Sequence, residues 1–241
     1  MTSPELLPMF DALAAAKAEQ KPLVVAQLGQ SLDGRIATPN GHSHYVNGQE
    51  AIGVLHHLRA AVDAVIVGAG TAVADDPQLT VRRCPGENPA RVLIDRRRRA
   101  GASLRMLTAG NARRIVFGNP LPDDDPAVLV VPPPDPEGII PPAFVIRALA
   151  DLGLKRVLVE GGATTVSAFV SAGTVDRICV AVAPIIIGSG PVGLALPPIT
   201  RMDDAVRPEV AVLPLGDGDV LFDCKLPPDA APRPEPEVAG G

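Results

Sequence analysis

Aromatic residues are scarce in this sequence. Its 241 residues include five Phe, one Tyr and no Trp, so aromatic side chains make up only 2% of the chain. The apolar fraction is nevertheless 46%, and the core must therefore consist of Val, Leu, Ile and Ala. The net charge is −5, whereas nucleic-acid binding requires a basic surface and aromatic platforms for base stacking. The composition argues against a nucleic-acid-binding protein.

Long apolar runs and closely spaced cysteines are missing as well. No stretch approaches the roughly 18 apolar residues of a membrane helix, so no membrane association is expected. Lys17 and Glu19 interrupt the alanine-rich N-terminal stretch, which therefore does not resemble a signal peptide. The three cysteines lie far apart and form no C-x-x-C motif, which argues against a zinc knuckle or a dithiol site. We expect a cytoplasmic enzyme.

Three regions of the chain differ in composition. Residues 1–21 predict an amphipathic helical arm that packs either on the rest of the chain or on a partner subunit. Residues 22–226 alternate aliphatic and helical patterns and predict one α/β domain. Residues 227–241 are rich in proline and polar side chains, so we expect a disordered tail, because little apolar surface offsets the entropy of ordering it.

Within the α/β domain, short apolar runs alternate with helical patterns. Strands are predicted at 23–28, 64–67, 91–94, 114–117, 128–131, 156–159, 176–182, 210–213 and 220–222. Helices are predicted at 49–61, 144–152 and 164–172. Asn47 is the predicted N-cap of the first helix. This alternation predicts a mainly parallel sheet covered on both faces, with a closing antiparallel hairpin whose turn lies at 216–219.

Polar and glycine-rich motifs follow the predicted strands, where open sheets bind their ligands. The pair 33–34 is either a tight Asp-Gly turn or a loop that a ligand approaches closely. Residues 75–77 are either a helix stop before proline or part of a site. Residues 160–162 open a helix whose N-terminus suits a pyrophosphate. Glu160 is either a ligand-binding residue there or a favourable charge at that helix N-terminus.

Three further patterns concern phosphate, dinucleotide and metal binding. The four arginines at 96–99 form either a solvated loop or a clamp for a dianionic phosphate, such as the 2′-phosphate of NADPH. The stretch 188–193 matches G-x-G-x-x-G, but its proline argues against the helix that a dinucleotide motif requires, so we expect a loop. The four histidines lack acidic or cysteine partners at ligand spacing, and no metal site is predicted.

Taken in order, these motifs resemble the reductase domain of riboflavin biosynthesis, a pyrimidine reductase that many bacteria carry fused to a deaminase. The matching stretches are 31–35, 41–45, 58–59, 71–82, 91–95, 160–162 and 175–188. The resemblance implies a dihydrofolate-reductase-like fold, which is a mixed, mainly parallel sheet flanked by helices with a C-terminal antiparallel hairpin. It also implies a homodimer.

The resemblance further implies NADPH-dependent reduction of a phosphorylated pyrimidine, 5-amino-6-(5-phosphoribosylamino)uracil, to its ribitylamino product. The residues implied to contact the substrate are Ser43, Arg59, Leu79, Arg82 and Glu160. The residues implied to line the NADPH site are Gly29, Tyr45, Thr71, Asp75, Arg96, Gly162, Ala163, Thr164, Thr165, Val166, Ser167 and Ala168. The candidate proton donors are Asp33, Asp75 and Glu160.

The sequence departs from the family pattern at three points. No deaminase signature appears, position 45 is Tyr where relatives often carry Trp, and the run of four arginines at 96–99 is heavier than the pattern requires. Two other functions stay open. One is the NADPH-dependent reduction of another heterocycle, such as dihydrofolate. The other is a non-catalytic nucleotide-binding role within the same fold.

Overall fold

The computed structural model describes residues 7–43 and 46–228, which form a nine-stranded sheet with helices on both faces. The strands are β1 (Leu23–Ser31), β2 (Ala64–Gly68), β3 (Ala90–Ile94), β4 (Arg114–Phe117), β5 (Leu129–Val131), β6 (Arg156–Val159), β7 (Arg177–Ala183), β8 (Glu209–Pro214) and β9 (Val220–Lys225). The helices are α1 (Pro8–Glu19), α2 (Gln49–Ala61), α3 (Ala69–Asp75), α4 (Arg105–Thr108), α5 (Pro142–Asp151) and α6 (Ala163–Ser171).

The strand order is β5-β4-β3-β2-β6-β1-β7-β9-β8. The first seven strands in that order pair in parallel, and β9 pairs antiparallel with both β7 and β8. The predicted mixed, mainly parallel sheet with a closing hairpin is confirmed. Since Ile66 is in register with Val159, and Gly68 with Ile94, the carboxyl ends of β2, β3 and β6 meet at one edge.

Two aliphatic cores lie on opposite faces of the sheet because successive strand side chains point to opposite sides. Val25 faces the core formed with α1, α2 and α3, whereas Val24 and Ala26 face the core formed with α5 and α6. Shortening a fully buried Leu in such a core to Ala costs about 2–5 kcal/mol. Strands buried on both faces explain the continuous apolar runs in the sequence.

Helix α1 of the predicted N-terminal arm packs on the rest of its own chain. Met9 and Leu13 are buried in the core of this same chain. The Met9 backbone N–H donates to Asp223 Oδ2 at 2.8 Å, and Arg177 on β7 holds that carboxylate through two bonds of 2.9 Å. A charged acceptor at the start of a helix satisfies an otherwise unpaired amide. The last strand therefore fixes the position of the first helix.

The predicted N-cap of α2 is wrong. Gly48 occupies that position, and the Asn47 carboxamide instead donates to Ala181 O at 3.2 Å and to Asp219 Oδ2 at 3.1 Å. Carboxylates from the β8–β9 turn satisfy the helix start, since Gly48 N–H donates to Asp219 at 2.8 Å and Glu50 N–H donates to Asp217 at 2.9 Å. Local sequence could not show a cap supplied from about 170 residues away.

Several predictions fall partly outside the described residues. These are the first residues of the N-terminal arm, His44 and Tyr45, and nearly all of the tail at 227–241. The domain boundaries at 22 and 226 therefore stay predictions. Among the described residues, no helix is both long enough and apolar enough to cross a membrane. Helix α4 is a four-residue element that the sequence patterns did not predict.

Candidate active site

A cavity of about 1010 Å³ opens where β1, β2, β3 and β6 end. The predicted site residues in its lining are Gly29, Ser43, Arg59, Thr71, Asp75, Leu79, Arg96, Glu160, Gly162, Ala163, Thr164 and Thr165. A smaller cavity of about 300 Å³ shares Arg59 and Leu79 with the first and is also lined by Arg82. The expected position beyond the carboxyl ends of parallel strands thus contains most of the predicted residues.

Arg59, which lines both cavities, forms a bidentate ion pair with Glu160, which lines the larger one. Arg59 Nε donates to Glu160 Oε1 at 2.7 Å, and its Nη2 donates to Oε2 at 2.6 Å. A third bond of 3.3 Å joins Arg59 Nη1 to the carbonyl of Thr80. Burial opposes the charge on Arg59, but the Glu160 carboxylate outweighs this and raises the pKa of the guanidinium. Helix α2 and strand β6 are joined by this pair directly at the cavity wall.

Gly29 lies in the second half of β1, where it allows a polar side chain to approach the backbone. A Cβ at this position would lie 1.8 Å from Asn47 Oδ1. Asn47 is itself held by Ala181 and Asp219, so it cannot move without breaking those bonds. Glycine is therefore required at position 29 by close packing in the cavity wall.

The glycine turn after β6 joins two helices at the cavity. Gly161 has a φ of 120°, a conformation that favours glycine, and Gly162 N–H donates to Thr71 Oγ1 on α3 at 2.7 Å. Gly162 is then the N-cap of α6, with no side-chain cap among the described residues. The first amides of that helix point out of its start without intrahelical acceptors, which creates positive potential beside the cavity.

The arginine run divides into residues with different partners. Arg98 forms an ion pair with Asp124, and Arg96 Nη1 donates to Pro136 O at 2.7 Å. Arg97 and Arg99 line the large cavity and have neither hydrogen-bond nor ionic partners within residues 7–43 and 46–228. Arg97 and Arg99 are also exposed to solvent, so the phosphate clamp and the solvated loop both stay predictions for this run.

The loop that carries Arg82 is anchored from α2. The Arg82 backbone N–H donates to His56 Nδ1 at 3.0 Å, and His56 is 2% exposed. Burial, and then the charges of Arg59, Arg82 and Arg83, lower the pKa of His56 to about 4. The imidazole is therefore neutral at physiological pH and serves as an acceptor.

The same loop contains an unusual backbone conformation. Leu79 has a φ of 53° while its side chain is buried, and left-handed geometry is costly for a residue with a Cβ. Such strain persists only where surrounding contacts enforce it, and it is common at ligand sites.

One candidate proton donor lies outside the cavity lining. Asp33 is exposed, and its carboxylate accepts hydrogen bonds from the Ser31 hydroxyl and the amides of Ile187 and Gly188. The Ser31 bond, followed by the Ile187 bond, lowers the pKa of Asp33 to about 2. This carboxylate is a poor proton donor at neutral pH, and it secures the loop after β7.

Four other predicted cofactor residues are not placed in the cavity lining. Val166 and Ser167 are buried in the body of α6, and Ala168 is exposed elsewhere on that helix. Tyr45 lies outside the described residues. The predicted contact stretch thus extends along α6 beyond the part that faces the cavity.

Sequence reasoning missed several residues that line the cavity. Arg97 and Arg99 belong to the arginine run, in which only Arg96 was assigned a role. Pro191 and Gly193 come from the loop that failed the dinucleotide criterion, yet they also reach the lining. The arginine run and the glycine-rich loop are both visible in the sequence, but neither pattern shows which side chains face the cavity. Among the described residues, no three His, Cys, Asp or Glu side chains converge in a metal-binding geometry.

Comparisons with known proteins identify the family of this chain. Residues 22–205 match the family described as the RibD C-terminal domain. A reductase of Methanothermobacter thermautotrophicus, named for 2,5-diamino-6-ribosylamino-4(3H)-pyrimidinone 5′-phosphate, is 32% identical over 212 residues, covering 79% of this chain and 91% of the relative. The riboflavin biosynthesis protein RibD of Aquifex aeolicus is 32% identical over 180 residues, covering 71% of this chain and 49% of the relative.

Solved structures show the same fold. RibD of Acinetobacter baumannii superposes with a TM-score of 0.76 at 28% identity, covering 88% of this chain and 60% of that chain. Dihydrofolate reductase from Enterococcus faecalis is similar in fold alone, with a TM-score of 0.50 at 10% identity, covering 85% of this chain and 96% of that chain. The chain spans about half the length of the curated RibD relatives it matches. On these matches, the chain belongs to the RibD C-terminal domain family.

Proposed function

We propose that the protein is an NADPH-dependent reductase of 5-amino-6-(5-phosphoribosylamino)uracil in riboflavin biosynthesis. The Arg59–Glu160 pair carries this proposal because Glu160 lines the large cavity, and Arg59 lines both that cavity and the smaller, arginine-lined one. A substrate with a hydrogen-bonding heterocycle at one end and a phosphate at the other fits this division. The names of the reductase relatives support the same substrate class.

Glu160 and Arg59 keep hydrogen-bonding capacity for a ligand. A carboxylate offers about four acceptor positions, and Arg59 occupies one on each oxygen of Glu160. The remaining lone pairs are available to pyrimidine N–H groups. Arg59 retains N–H groups on Nη1 and Nη2, and Arg82 lies across the smaller cavity. We assign Ser43 and Leu79 to the substrate-facing wall beside them.

The cofactor assignment is supported by the chemistry of the lining. The start of α6 and the three arginines at 96, 97 and 99 suit the pyrophosphate and 2′-phosphate of NADPH. The glycine turn at 161–162 leaves room for that approach, and Thr71 holds it in place. When bound, the dihydronicotinamide supplies a hydride to C1′ of the open-chain imine tautomer, and the imine nitrogen takes up one proton.

The chain's own contribution is binding, orientation and proton supply. Both carboxylate oxygens of Glu160 accept hydrogen bonds from Arg59, so we assign this side chain to hydrogen-bond acceptance and orientation of the ligand. Asp75 lines the cavity and is exposed, and its carboxylate has no hydrogen-bond partner among the described residues. Of the three candidates, Asp75 is the one in position to relay a proton from solvent.

A homodimer also belongs to this proposal. Strand β8 lies at the edge of the sheet, so one row of its backbone groups has no partner strand among the residues that the structure describes. Val210 and Val212 on that strand are 50% and 54% exposed. A second copy of the chain is the occupant that we propose for this edge. Light scattering on the purified protein tests this point, and a monomer at micromolar concentration would contradict it.

A second substrate has a specific observation in its favour. The chain covers 91% of the archaeal reductase, whose name contains the 2,5-diamino pyrimidinone phosphate. This compound carries an amino group at position 2 where the uracil carries an oxo group, and the amino group would give Glu160 an additional N–H donor. Discrimination between the two substrates therefore depends on whether the position-2 substituent of the pyrimidine ring faces the Glu160 carboxylate.

Turnover assays decide among these candidates. NADPH oxidation is measured with the aminouracil phosphate, the diaminopyrimidinone phosphate and dihydrofolate, with Glu160→Gln as the impaired control. We expect the highest kcat/KM for the aminouracil phosphate. Preference for the diamino compound would select the second candidate. Tight NADPH binding without turnover of any of the three compounds would indicate a non-catalytic role.

A further inference from the structure

The smaller cavity is unusual in its charge. Three of its lining residues are Arg59, Arg82 and Arg105, and none of its described lining residues is acidic. Burial, followed by the charges of Arg59 and Arg105, lowers the pKa of Arg82. Like charges brought together in this way repel one another, and a multiply charged anion between them relieves the repulsion.

Arg105 is held in a fixed orientation toward this cavity. Its Nε and Nη2 both donate to the carbonyl of Asp76, at 2.8 and 2.5 Å. Its backbone N–H donates to Asp76 Oδ1 at 2.7 Å, and the Nε lies 3.2 Å from Oδ2. Asp76 has a φ of 38° and ends α3 in the left-handed conformation. The unusual backbone at Asp76 thus turns its carbonyl and its carboxylate toward one guanidinium.

Arg105 keeps N–H groups available for a ligand. Its Nη1 has no hydrogen-bond partner in the part of the chain that the structure describes, and the side chain is 52% exposed. An arginine anchored through Nε and Nη2 presents Nη1 with little remaining rotamer freedom. Preorganised guanidinium groups bind phosphate oxygens in directed, charge-assisted hydrogen bonds.

We propose that Arg105 binds the substrate phosphate together with Arg59 and Arg82. It thereby determines selectivity for a phosphomonoester over the dephosphorylated nucleoside. This inference rests on the proposed function for the identity of the substrate. The class of ligand is inferred independently of the proposed function, because the cluster of arginines suits a phosphomonoester, which carries nearly two negative charges at neutral pH and three acceptor oxygens. Asp76 acts through Arg105 as a positioning residue.

The kinetic test compares the phosphorylated substrate with its dephosphorylated counterpart. We expect Arg105→Ala to lower kcat/KM for the phosphorylated compound about 10- to 100-fold, mainly through KM, because a charged hydrogen bond is lost. The dephosphorylated compound should change by less than about threefold. Arg105→Lys should restore part of the loss, since it keeps the charge but not the fork.

Arg83→Ala is the matched control for net charge. Arg83 is exposed, donates to Gln49 Oε1 at 2.7 Å and does not line the cavity. Its removal changes the overall charge by the same amount, so any general loss of electrostatic attraction appears in both variants. An equal loss of kcat/KM in Arg105→Ala and Arg83→Ala would overturn the assignment.

A binding test separates this inference from the proposed function. Inorganic phosphate is titrated against the full-length protein without cofactor, and the rise in Tm is recorded. We expect phosphate to stabilise the wild type and Arg83→Ala, and to stabilise Arg105→Ala much less. If no pyrimidine is turned over but this dependence on Arg105 is observed, the proposed function fails and the phosphate site stands. Equal phosphate stabilisation of all three proteins would refute the site.

Discussion

Arg59 and Glu160 form a two-point ion pair that is almost closed to solvent, with side-chain exposures of 9% and 6%. Arg59 lies on α2 and Glu160 directly follows β6, and the two residues are 101 positions apart in sequence. Separating such a pair is costly because the remaining charge is buried without a counter-charge. The same two residues line the cavity, so binding and folding stability are linked at this position.

Replacing Glu160 with Gln should weaken both stability and catalysis. We expect the free energy of unfolding to fall by about 3 kcal/mol, because Arg59 loses its counter-charge. The value of kcat/KM should fall at least about tenfold, since the acceptor for the heterocycle is altered. Urea unfolding and steady-state kinetics measure the two effects. Glu209→Gln, which removes the exposed partner of Lys225, should change stability by less than about 0.5 kcal/mol.

The unpaired arginines of the large cavity should set the cofactor preference. We expect Arg97→Ala and Arg99→Ala to raise the Kd for NADPH about tenfold and to leave the Kd for NADH nearly unchanged, because only NADPH has the 2′-phosphate. Arg96→Ala should act in the same direction and also release the segment at Pro136. Fluorescence titration measures the affinities, with Arg147→Ala as an exposed control. Equal weakening of both cofactors would contradict this assignment.

The contact between Gly29 and Asn47 predicts a coupled pair of substitutions. Gly29→Ala places a methyl group against Asn47 Oδ1 and should destabilise the protein by about 1–3 kcal/mol. Asn47→Ala removes the obstructing oxygen, so the double variant should be more stable than the sum of the two single effects, by about 1 kcal/mol. A double-mutant cycle in urea measures this coupling. Strict additivity would show that the two residues do not touch in solution.

Acid should destabilise the protein through His56. Its pKa is about 4 in the folded state against an ordinary value of 6.5, so between these values the unfolded chain binds a proton that the folded chain excludes. The free energy of unfolding therefore falls as the pH is lowered from 6.5 to 4, by at most about 3 kcal/mol from this group. Above pH 6.5 this contribution is constant. Unfolding curves across that range measure the slope.

His56→Asn is the informative variant for this pH dependence. An Asn oxygen replaces Nδ1 as acceptor for the Arg82 amide but does not titrate, so the slope between pH 6.5 and 4 should flatten. His57→Asn on the same helix is the control, because His57 packs edge-on against Phe10 and the Arg82 amide donates to His56 instead. An unchanged slope in His56→Asn would assign the acid sensitivity to other groups.

The sequence predicted the sheet well because its information is local. Strands buried on both faces are continuous aliphatic runs, and the structure has strands at every one of the nine predicted positions. The sequence did not predict α4, which is too short to show helical periodicity. It also could not identify the partners of Asn47, since Ala181 and Asp219 lie 134 and 172 residues away.

Prediction of the candidate site was limited for the same reason. The family resemblance implies that Arg59 and Glu160 both contact the substrate. Only the structure shows that the two side chains also bind each other. The run at 96–99 indicated a cationic site, whereas the direction of each side chain depends on loop geometry. Arg105 belongs to no recognisable sequence motif. Its proposed role follows only from the structure, in which the Asp76 carbonyl orients its guanidinium.

Strand β6 lies between β1 and β2, although it is made after both of them. During synthesis, the facing edges of β1 and β2 therefore remain unpaired for more than eighty residues of further chain. Exposed strand edges favour pairing with other chains, and non-local pairing of this kind slows folding. Ribosome-bound chains that end before Arg156 should thus depend on chaperones, whereas chains that include β6 can close the centre of the sheet.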